Sequence, residues 1–284
     1  MLGEGSTFVG MKRFPFASAV ARGFDFCPTT IEPRYEKRTS AAFITLTLLV
    51  VLTIFYPPSF DLSVASAFFS AQTGLFLGSE RASRYLQQLL MVVTSIHVTV
   101  CLALLAVNRV RSLEPFRAKL GFQIMDRKLM FLLLALAIGP GLVVNGIFKE
   151  AWGRARPRDV VQFGGARRFT SALVLSDECK TNCSFVSGEA ALGFYGLSFM
   201  FLARRRRKMI ALTSLLFGFF IGLVRMSVGA HFLSDVIFSG VFTFLVSFAL
   251  YFVLLRPIRK TAYDSATGRA IEAPQGKFAP SKNK

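Results

Sequence analysis

The sequence is poor in histidine, cysteine, tryptophan and acidic residues. Its 284 residues include two His, four Cys, one Trp and 16 Asp or Glu, against 34 Lys or Arg. Cys27 and Cys101 show no metal-ligand spacing. The first 40 residues lack the apolar core that leads to a secretory cleavage site. No internal repeat is evident either. The cysteine spacing therefore indicates no metal site, and the sequence indicates no repeat architecture.

Apolar residues are abundant instead, and they occur in long runs. The chain is 53% hydrophobic, contains 31 Phe and has a mean hydropathy of +0.50, which is typical of an integral membrane protein. The net charge of +18 would suit a nucleic-acid partner. However, the basic residues cluster between apolar runs, where they meet lipid headgroups. We therefore expect a bilayer and no nucleic acid as partner.

Six runs are long enough to cross a membrane as helices. They cover residues 41–57, 86–108, 129–148, 186–203, 209–225 and 232–255. A shorter run at 62–78 contains several polar residues and is predicted to be an interfacial helix between the first two spans. The predicted fold is an all-α bundle of six transmembrane helices.

The basic residues predict how this bundle is oriented. The arm 1–40, the loop 109–128, the run 204–208 and the tail from residue 256 hold 24 of the 34 Lys and Arg. Six spans put all four segments on one side, which the positive-inside rule makes cytoplasmic. We predict a basic cytoplasmic arm (1–40), a membrane domain (41–258) and a disordered cytoplasmic tail (259–284).

The loop 149–185 breaks this charge rule on the opposite, outer side. It carries seven cations: Lys149, Arg154, Arg156, Arg158, Arg167, Arg168 and Lys180. An anionic ligand would explain them, and contact with lipid headgroups is the alternative.

The segment 225–235 carries one of the two histidines between two apolar runs. If the chain is helical from His231, Asp235 lies four residues on and shares its face. The carboxylate could then fix the imidazole tautomer and leave the other nitrogen free to attack. Arg225 precedes the turn and can face the same space. These residues suggest phosphate chemistry, and a helix-capping Asp with a bystander His is the alternative.

Two further segments add candidate phosphate ligands. Lys149 and Arg156 are seven residues apart, two turns on one face if the third span continues as a helix to Pro157. Cations that snorkel at a helix end are the alternative. Ser187 and Gly188 open the fourth span, where backbone N–H groups and a hydroxyl can bind an anion.

Together these segments resemble the signature of the type 2 phosphatidic acid phosphatase superfamily. The matching residues are Lys149-x6-Arg156-Pro157, then Ser187-Gly188, then Arg225-x5-His231-x3-Asp235. The resemblance implies a membrane lipid phosphatase that uses no metal or cofactor. It implies that His231 is the nucleophile and forms a phosphohistidine, and that Asp235 orients it. The phosphoryl oxygens would be held by Lys149, Arg156, Ser187, Gly188 and Arg225.

Two positions depart from the family pattern. Glu189 replaces the His that serves as general acid in the second motif, and Val224 replaces the usual Ser before Arg225. Glu189 becomes the candidate proton donor, and complementing the helix dipole is the alternative. His97 lies in mid-span and is expected to be structural.

The altered second motif bears on the substrate. A good leaving group would need little protonation, which favours an anomeric phosphate or a diphosphate. The residues around Ser187 resemble lipid A 1-phosphatases. We therefore predict that a lipid A 1-phosphate is hydrolysed at the periplasmic face of a bacterial inner membrane. The alternatives are an undecaprenyl diphosphate or a phosphatidylglycerophosphate.

Cys179 and Cys183 flank three residues of the outer loop, just before Ser187. In an oxidising periplasm a disulfide could close this loop and brace the second motif, and two free thiols are the alternative.

Other activities remain open from the sequence. A lipid phosphotransferase would use the same phosphohistidine, and a pseudo-enzyme would bind without turnover. A transporter would place its charges near the midplane. The charges here lie at the outer ends of the spans, which favours surface chemistry.

Overall fold

The computed structural model describes residues 57, 59–109, 126–203, 205–255, 261–263 and 270–272. Within these ranges the protein is mostly helical. The helices are α1 (Ser59–Ser66), α2 (Glu80–Arg109), α3 (Asp126–Leu136), α4 (Lys149–Ala151), α5 (Gly188–Phe194), α6 (Ser198–Leu202), α7 (Arg207–Ser227) and α8 (Leu233–Leu250). Single 3₁₀ turns cover Pro157–Asp159, Val161–Phe163 and Tyr195–Leu197.

Two segments are wider π-helices that continue an α-helix. Ala137–Phe148 joins α3 to α4, and Tyr251–Leu255 extends α8. The first contains Pro140, which has no N–H to donate to the helical ladder. The side-chain amide of Asn145 donates to the Pro140 carbonyl at 2.7 Å, so that carbonyl has a side-chain donor.

Among the described residues, four helices are long and apolar enough to cross a membrane. They are Glu80–Val107, Asp126–Ala151, Arg207–Ser227 and Leu233–Leu255, and a shorter apolar helix covers Gly188–Leu202. These five helices coincide with five of the six predicted spans. The sixth prediction, 41–57, lies outside the described residues except for residue 57.

The prediction of a single interfacial helix over 62–78 is wrong for most of that range. Helix α1 ends at Ser66, and the chain then forms a hairpin from two short antiparallel strands. The strands are β1 (Phe69–Ser70) and β2 (Leu75–Phe76). Gly74 adopts a φ of 65°, which a glycine tolerates in such a turn.

The hairpin packs against the loop between α7 and α8. A Cβ added to Gly229 would lie 2.6 Å from the Phe76 ring, so the loop and the ring are in close contact. The N–H of Gly78 also donates to the carbonyl of Ser227 at 2.8 Å. The hairpin therefore covers the loop that carries His231.

Small residues bring α5 close to α7. A Cβ on Gly193 would lie 2.7 Å from the Cα of Gly218, so the two backbones meet directly. A Cβ on Gly222 of α7 would collide with Val236 of α8 at 2.3 Å. Such small-residue contacts are typical of helices that pack in membranes. As a result, the beginnings of α5 and α8 lie beside the end of α7.

The tail was predicted to be disordered, and six of its residues are described. They form two antiparallel strands, β3 (Thr261–Tyr263) and β4 (Ala270–Glu272). The other residues of the tail, and the whole basic arm 1–40, lie outside the described residues.

Candidate active site

His231 is buried at the start of α8, with only 1% of its surface exposed. Its Nδ1 lies 2.7 Å from the carbonyl oxygen of Ser184. Because a carbonyl can only accept, Nδ1 carries a proton, and in the neutral ring Nε2 then holds the lone pair. Nε2 has no hydrogen-bond partner among the described residues. Burial lowers the pKa of His231, although nearby carboxylates oppose that shift, so the imidazole is poised as a neutral nucleophile.

The prediction that His231 and Asp235 share a helical face is wrong, because α8 begins at Leu233, after the histidine. Asp235 is the third residue of this helix, and its Oδ2 accepts the N–H of Phe232 at 2.8 Å. This is a capping interaction, and it fixes where the helix starts. Oδ2 is still 3.9 Å from Nδ1 of His231. Asp235 therefore reaches the imidazole mainly through Ser184, whose hydroxyl donates to Oδ2 at 2.6 Å.

Arg154 is a fully buried cation that holds the other oxygen of Asp235. Its Nη1 donates to Oδ1 of Asp235 at 2.5 Å, and its Nη2 donates to Asp61 at 2.8 Å. Its Nε donates to the carbonyl of Thr170 at 2.8 Å, and the guanidinium lies 4.4 Å from the centre of the Phe232 ring. A charge that is paired and hydrogen-bonded in this way can be buried. Arg154 thus contacts Asp235 directly and His231 only indirectly, through Asp235 and Ser184.

The prediction that Lys149 and Arg156 lie two turns apart on one helical face is wrong. The helix ends at Ala151, and Arg156 has an extended backbone. The cause is Gly153, which adopts a φ of 70° and lies so close to Ser176 that a Cβ would be 1.7 Å from its carbonyl oxygen. A glycine with positive φ commonly ends a helix.

The two cations nevertheless approach the same space. Lys149 and Arg156 each lie close enough to Arg225 and Glu189 to interact with them electrostatically. Burial lowers the pKa of Arg156, and the neighbouring cations Arg158 and Arg225 lower it further. Positive groups that repel one another in a buried space favour the binding of an anion.

Arg156 is held by the loop that the two outer cysteines close. The sulfurs of Cys179 and Cys183 are bonded, with Cα atoms 5.6 Å apart. Inside this loop Asn182 has a φ of 51°, and its carbonyl accepts from Arg156 Nη2 at 2.7 Å and Nε at 3.2 Å. The loop therefore presents a carbonyl that orients the guanidinium.

Ser187 and Gly188 begin α5 beside these cations. The Ser187 hydroxyl caps the helix by accepting the N–H of Ala190 at 3.4 Å. A Cβ on Gly188 would lie 2.3 Å from Oδ1 of Asn145, so a larger residue would force the Asn145 side chain to shift. The hydroxyl of Ser239 donates to the Ser187 carbonyl at 2.7 Å and ties this turn to α8.

Glu189 and Arg225 complete the group around the free nitrogen of His231. Glu189 Oε2 lies 3.6 Å from Nε2, and its Oε1 lies 3.6 Å from Nη2 of Arg225. Both distances exceed a hydrogen bond. Arg225 itself donates to the hydroxyl of Ser83 at 2.7 Å. Oε2 of Glu189 and Nε of Arg225 have no hydrogen-bond partner within the described part of the chain.

The site therefore contains an imidazole with an available lone pair, three cations and one carboxylate. These groups come from the ends of several elements that meet at one end of the bundle. His97 is not among them, because its Nε2 lies 2.9 Å from the hydroxyl of Tyr195, which donates onward to a helix carbonyl.

Part of the chain matches a known protein family. Residues 128–259 match the PAP2 superfamily, the type 2 phosphatidic acid phosphatases. This part of the chain is a PAP2 domain. It contains His231 and the residues placed around its free nitrogen, which are Lys149, Arg156, Glu189 and Arg225. Asp61 and Ser83 precede it in the sequence.

Three relatives are each named lipid A 4'-phosphatase. The protein from Francisella tularensis subsp. novicida (strain U112) is 45% identical over 138 residues, which are 48% of this chain and 62% of that one. The protein from Rhizobium leguminosarum is 42% identical over 125 residues, or 44% of this chain and 54% of that one. The protein from Rhizobium etli (strain ATCC 51251 / DSM 11541 / JCM 21823 / NBRC 15573 / CFN 42) is 43% identical over 125 residues, which are 44% of this chain and 49% of that one. The chain therefore spans less than two thirds of each relative. No solved structure matches it.

Sequence reasoning gave no role to three polar residues near this site: Asp61, Ser83 and Ser184. It named Arg154 only among the cations of the outer loop, and the spacing of Arg154 and Arg156 did not separate their roles. Residues two apart on a regular extended strand point to the same side, yet these two side chains have different partners. The structure directs Arg154 to Asp235 and Arg156 to Asn182. Asp61 and Ser83 carry no local signal, because their partners are far away in the sequence.

Proposed function

We propose that this protein is an integral membrane lipid phosphatase that removes a phosphate from a lipid A through a phosphohistidine on His231. The observation that carries the proposal is the way in which the ring of His231 is held. Nδ1 lies 2.7 Å from the Ser184 carbonyl oxygen, and Nε2 is buried 3.6 Å from Glu189, without a hydrogen-bond partner among the described residues. A neutral imidazole in a cationic pocket suits attack on a phosphoryl group.

In the first step Nε2 attacks phosphorus and the bond from phosphorus to the lipid oxygen breaks. Lys149, Arg156 and Arg225 stabilise the negative charge on the phosphoryl oxygens, with the N–H groups that begin α5. Glu189 passes to the departing oxygen a proton that it takes from the bound phosphate monoester, and the proton that it later takes from water leaves with the product phosphate. The positive charge that develops on the imidazole is stabilised by Asp235 through Ser184.

In the second step a water molecule attacks the phosphohistidine. Glu189 takes a proton from this water, the bond from phosphorus to Nε2 breaks, and phosphate leaves. The acid of the first step thus becomes the base of the second. The net reaction consumes one water and gives one alcohol and one phosphate.

Glu189 must move when substrate arrives. A reacting phosphorus has to approach Nε2 to roughly 3–3.5 Å, and the Glu189 carboxylate now lies 3.6 Å from that nitrogen. The carboxylate therefore lies where a reacting phosphoryl group would have to stand. Its rotation toward the leaving oxygen would both open the site and deliver the proton.

The relatives favour the 4'-phosphate of lipid A over the 1-phosphate expected from the leaving-group argument, since all three are named for that position. A 4'-phosphate leaves an ordinary sugar hydroxyl, whose alkoxide is a strong base. Its departure needs a proton donor, so this position makes Glu189 more important.

The proposed topology places both termini in the cytoplasm and the site at the outer face of a bacterial inner membrane. The distribution of basic residues supports this orientation. The disulfide between Cys179 and Cys183 supports it too, because such bonds persist in an oxidising compartment.

The proposal is tested with purified protein in detergent and lipid A that carries both phosphates. We expect phosphate release, with loss of the 4'-phosphate identified by mass spectrometry. His231→Ala should abolish turnover, and brief incubation with labelled substrate should place the label on His231 in the wild type. Release of label without a trapped phosphohistidine, or an active His231→Ala, would exclude the mechanism.

A further inference from the structure

Asp61 lies far from the PAP2 domain in sequence but contacts its site directly. It belongs to α1, within the stretch that precedes residue 128. Its Oδ2 accepts from Arg154 Nη2 at 2.8 Å and from the hydroxyl of Ser234 at 2.5 Å. Its Oδ1 accepts the N–H of Ser234 at 2.9 Å. Both oxygens are therefore engaged.

We propose that Asp61 is a positioning residue, which holds Arg154 against Asp235 and so fixes the nucleophilic imidazole. This inference rests on the proposed phosphatase function. Asp61 touches neither His231 nor any of the phosphate-facing cations in the contacts described above, so its effect passes through Arg154 and through Ser234, the neighbour of Asp235.

The charges explain why a second carboxylate is needed. The side chains of Arg154 and Asp235 are both 0% exposed, and that of Asp61 is 11% exposed. Arg154 has five N–H donors in a rigid plane. Asp235 occupies one end of this plane, and without Asp61 the Nη2 end would be buried without a carboxylate partner. The guanidinium could then turn away from Asp235 to find another acceptor.

The geometry also explains how the loss of Asp61 would affect the nucleophile. Arg154 fixes Oδ1 of Asp235, which leaves Oδ2 facing Ser184 and the N–H of Phe232. The carbonyl of Ser184 in turn accepts a hydrogen bond from Nδ1–H of His231. A rotation of the Asp235 carboxylate would disturb the Ser184 hydroxyl bond and, with it, the orientation of the ring.

The test compares Asp61→Asn with wild type on lipid A. The substitution keeps the shape but removes the charge that holds Arg154. We expect kcat to fall by about 10- to 100-fold, the range that loss of an outer-shell partner of a metal-ligating histidine costs. KM should change by less than about twofold, since the phosphate-facing cations are intact and only the reacting geometry is altered.

Two variants make the comparison decisive. Glu80→Gln is the matched control, because it breaks an ion pair to Arg158 in which both side chains are exposed, and it should keep wild-type kcat and KM. Ser234→Ala is the milder perturbation, since it removes the hydroxyl that contacts both Arg154 and Asp61 but keeps both charges. It should fold even if Asp61→Asn does not, and its kcat should fall several-fold.

A folded Asp61→Asn or Ser234→Ala with wild-type kcat would overturn the proposal. So would a rise in KM with kcat unchanged, which would indicate a role in binding. These outcomes differ from failure of the proposed function, in which wild-type protein releases no phosphate or His231→Ala remains active.

Discussion

Replacing Glu189 by Gln separates two roles that the structure gives to this carboxylate. The variant keeps size and polarity, but it lacks the negative charge of the carboxylate and can neither take up nor give a proton. Wild-type Glu189 lies 3.6 Å from Nε2 of His231 and 3.6 Å from Arg225, where a phosphoryl group would bind. It therefore competes with the phosphate before the reaction and assists the leaving group during it.

The two roles predict opposite changes. Two unit charges about 4 Å apart repel by about 4 kcal/mol at an effective dielectric constant of about 20. The carboxylate can rotate away and three cations offset it, so we expect a gain of about 1.4 kcal/mol, or roughly tenfold tighter binding of phosphate. Loss of general acid catalysis should lower kcat by about 10²- to 10⁴-fold on a sugar phosphate.

The assay measures kcat on lipid A and on an aryl phosphate, and inhibition by inorganic phosphate. Glu189→Gln should be inhibited at lower phosphate concentrations than wild type. Its loss of kcat should be smaller on the aryl phosphate, whose leaving group needs little protonation. Glu150→Gln is the control, because Glu150 is exposed and only one residue from Lys149. A Glu189→Gln protein that hydrolyses lipid A as fast as wild type would refute the assignment of Glu189 as the acid.

Three further predictions concern the loop, the nucleophile and the topology. Replacing Cys179 and Cys183 together by Ser should raise KM about three- to tenfold with kcat nearly unchanged, since the loop carbonyl that orients Arg156 would be released at a cost of about 1 kcal/mol; unchanged KM would contradict this. Because burial lowers the pKa of His231, its ring should stay neutral as pH falls to about 6.5, the ordinary histidine value. Nitrogen NMR of protein labelled at its two histidines measures this, and a ring half-protonated at or above that pH would contradict it. Leu175→Cys, at an exposed position of the outer loop, should react with an impermeant thiol reagent added outside intact spheroplasts, and labelling only after lysis would contradict the topology.

The helical regions could be predicted because a long apolar run has few alternatives in a membrane. Five predicted spans coincide with helices of the structure. Their boundaries were less accurate, since a boundary depends on single residues. The third span was predicted to cover 129–148, with a possible continuation of the helix to Pro157, but the helix ends at Ala151, before Gly153, whose backbone lies against Ser176. The hairpin after α1 was missed for a similar reason, since its packing partner Gly229 is remote in sequence.

The site could be predicted as a set of residues but not as a set of contacts. The spacing around His231 suggested a direct bond from Asp235 along a helix. The structure uses that aspartate to cap α8, and the histidine therefore precedes the helix and bonds to the Ser184 carbonyl. Local spacing cannot reveal such a partner, because Ser184 is 47 residues away.

The distribution of charge on the two sides of His231 suits the proposed reaction. In front of Nε2, the cations attract phosphate and, with burial, favour a neutral ring. Behind Nδ1, Asp61, Arg154 and Asp235 carry a net charge of −1, which stabilises the positive ring that forms when the bond to phosphorus is made. If Arg154 faced the phosphate instead, Asp235 would be buried without a cation. Its carboxylate would then be held less firmly beside the positive charge that develops on the imidazole. We therefore expect the fully buried Arg154 to support the proposed reaction through Asp235.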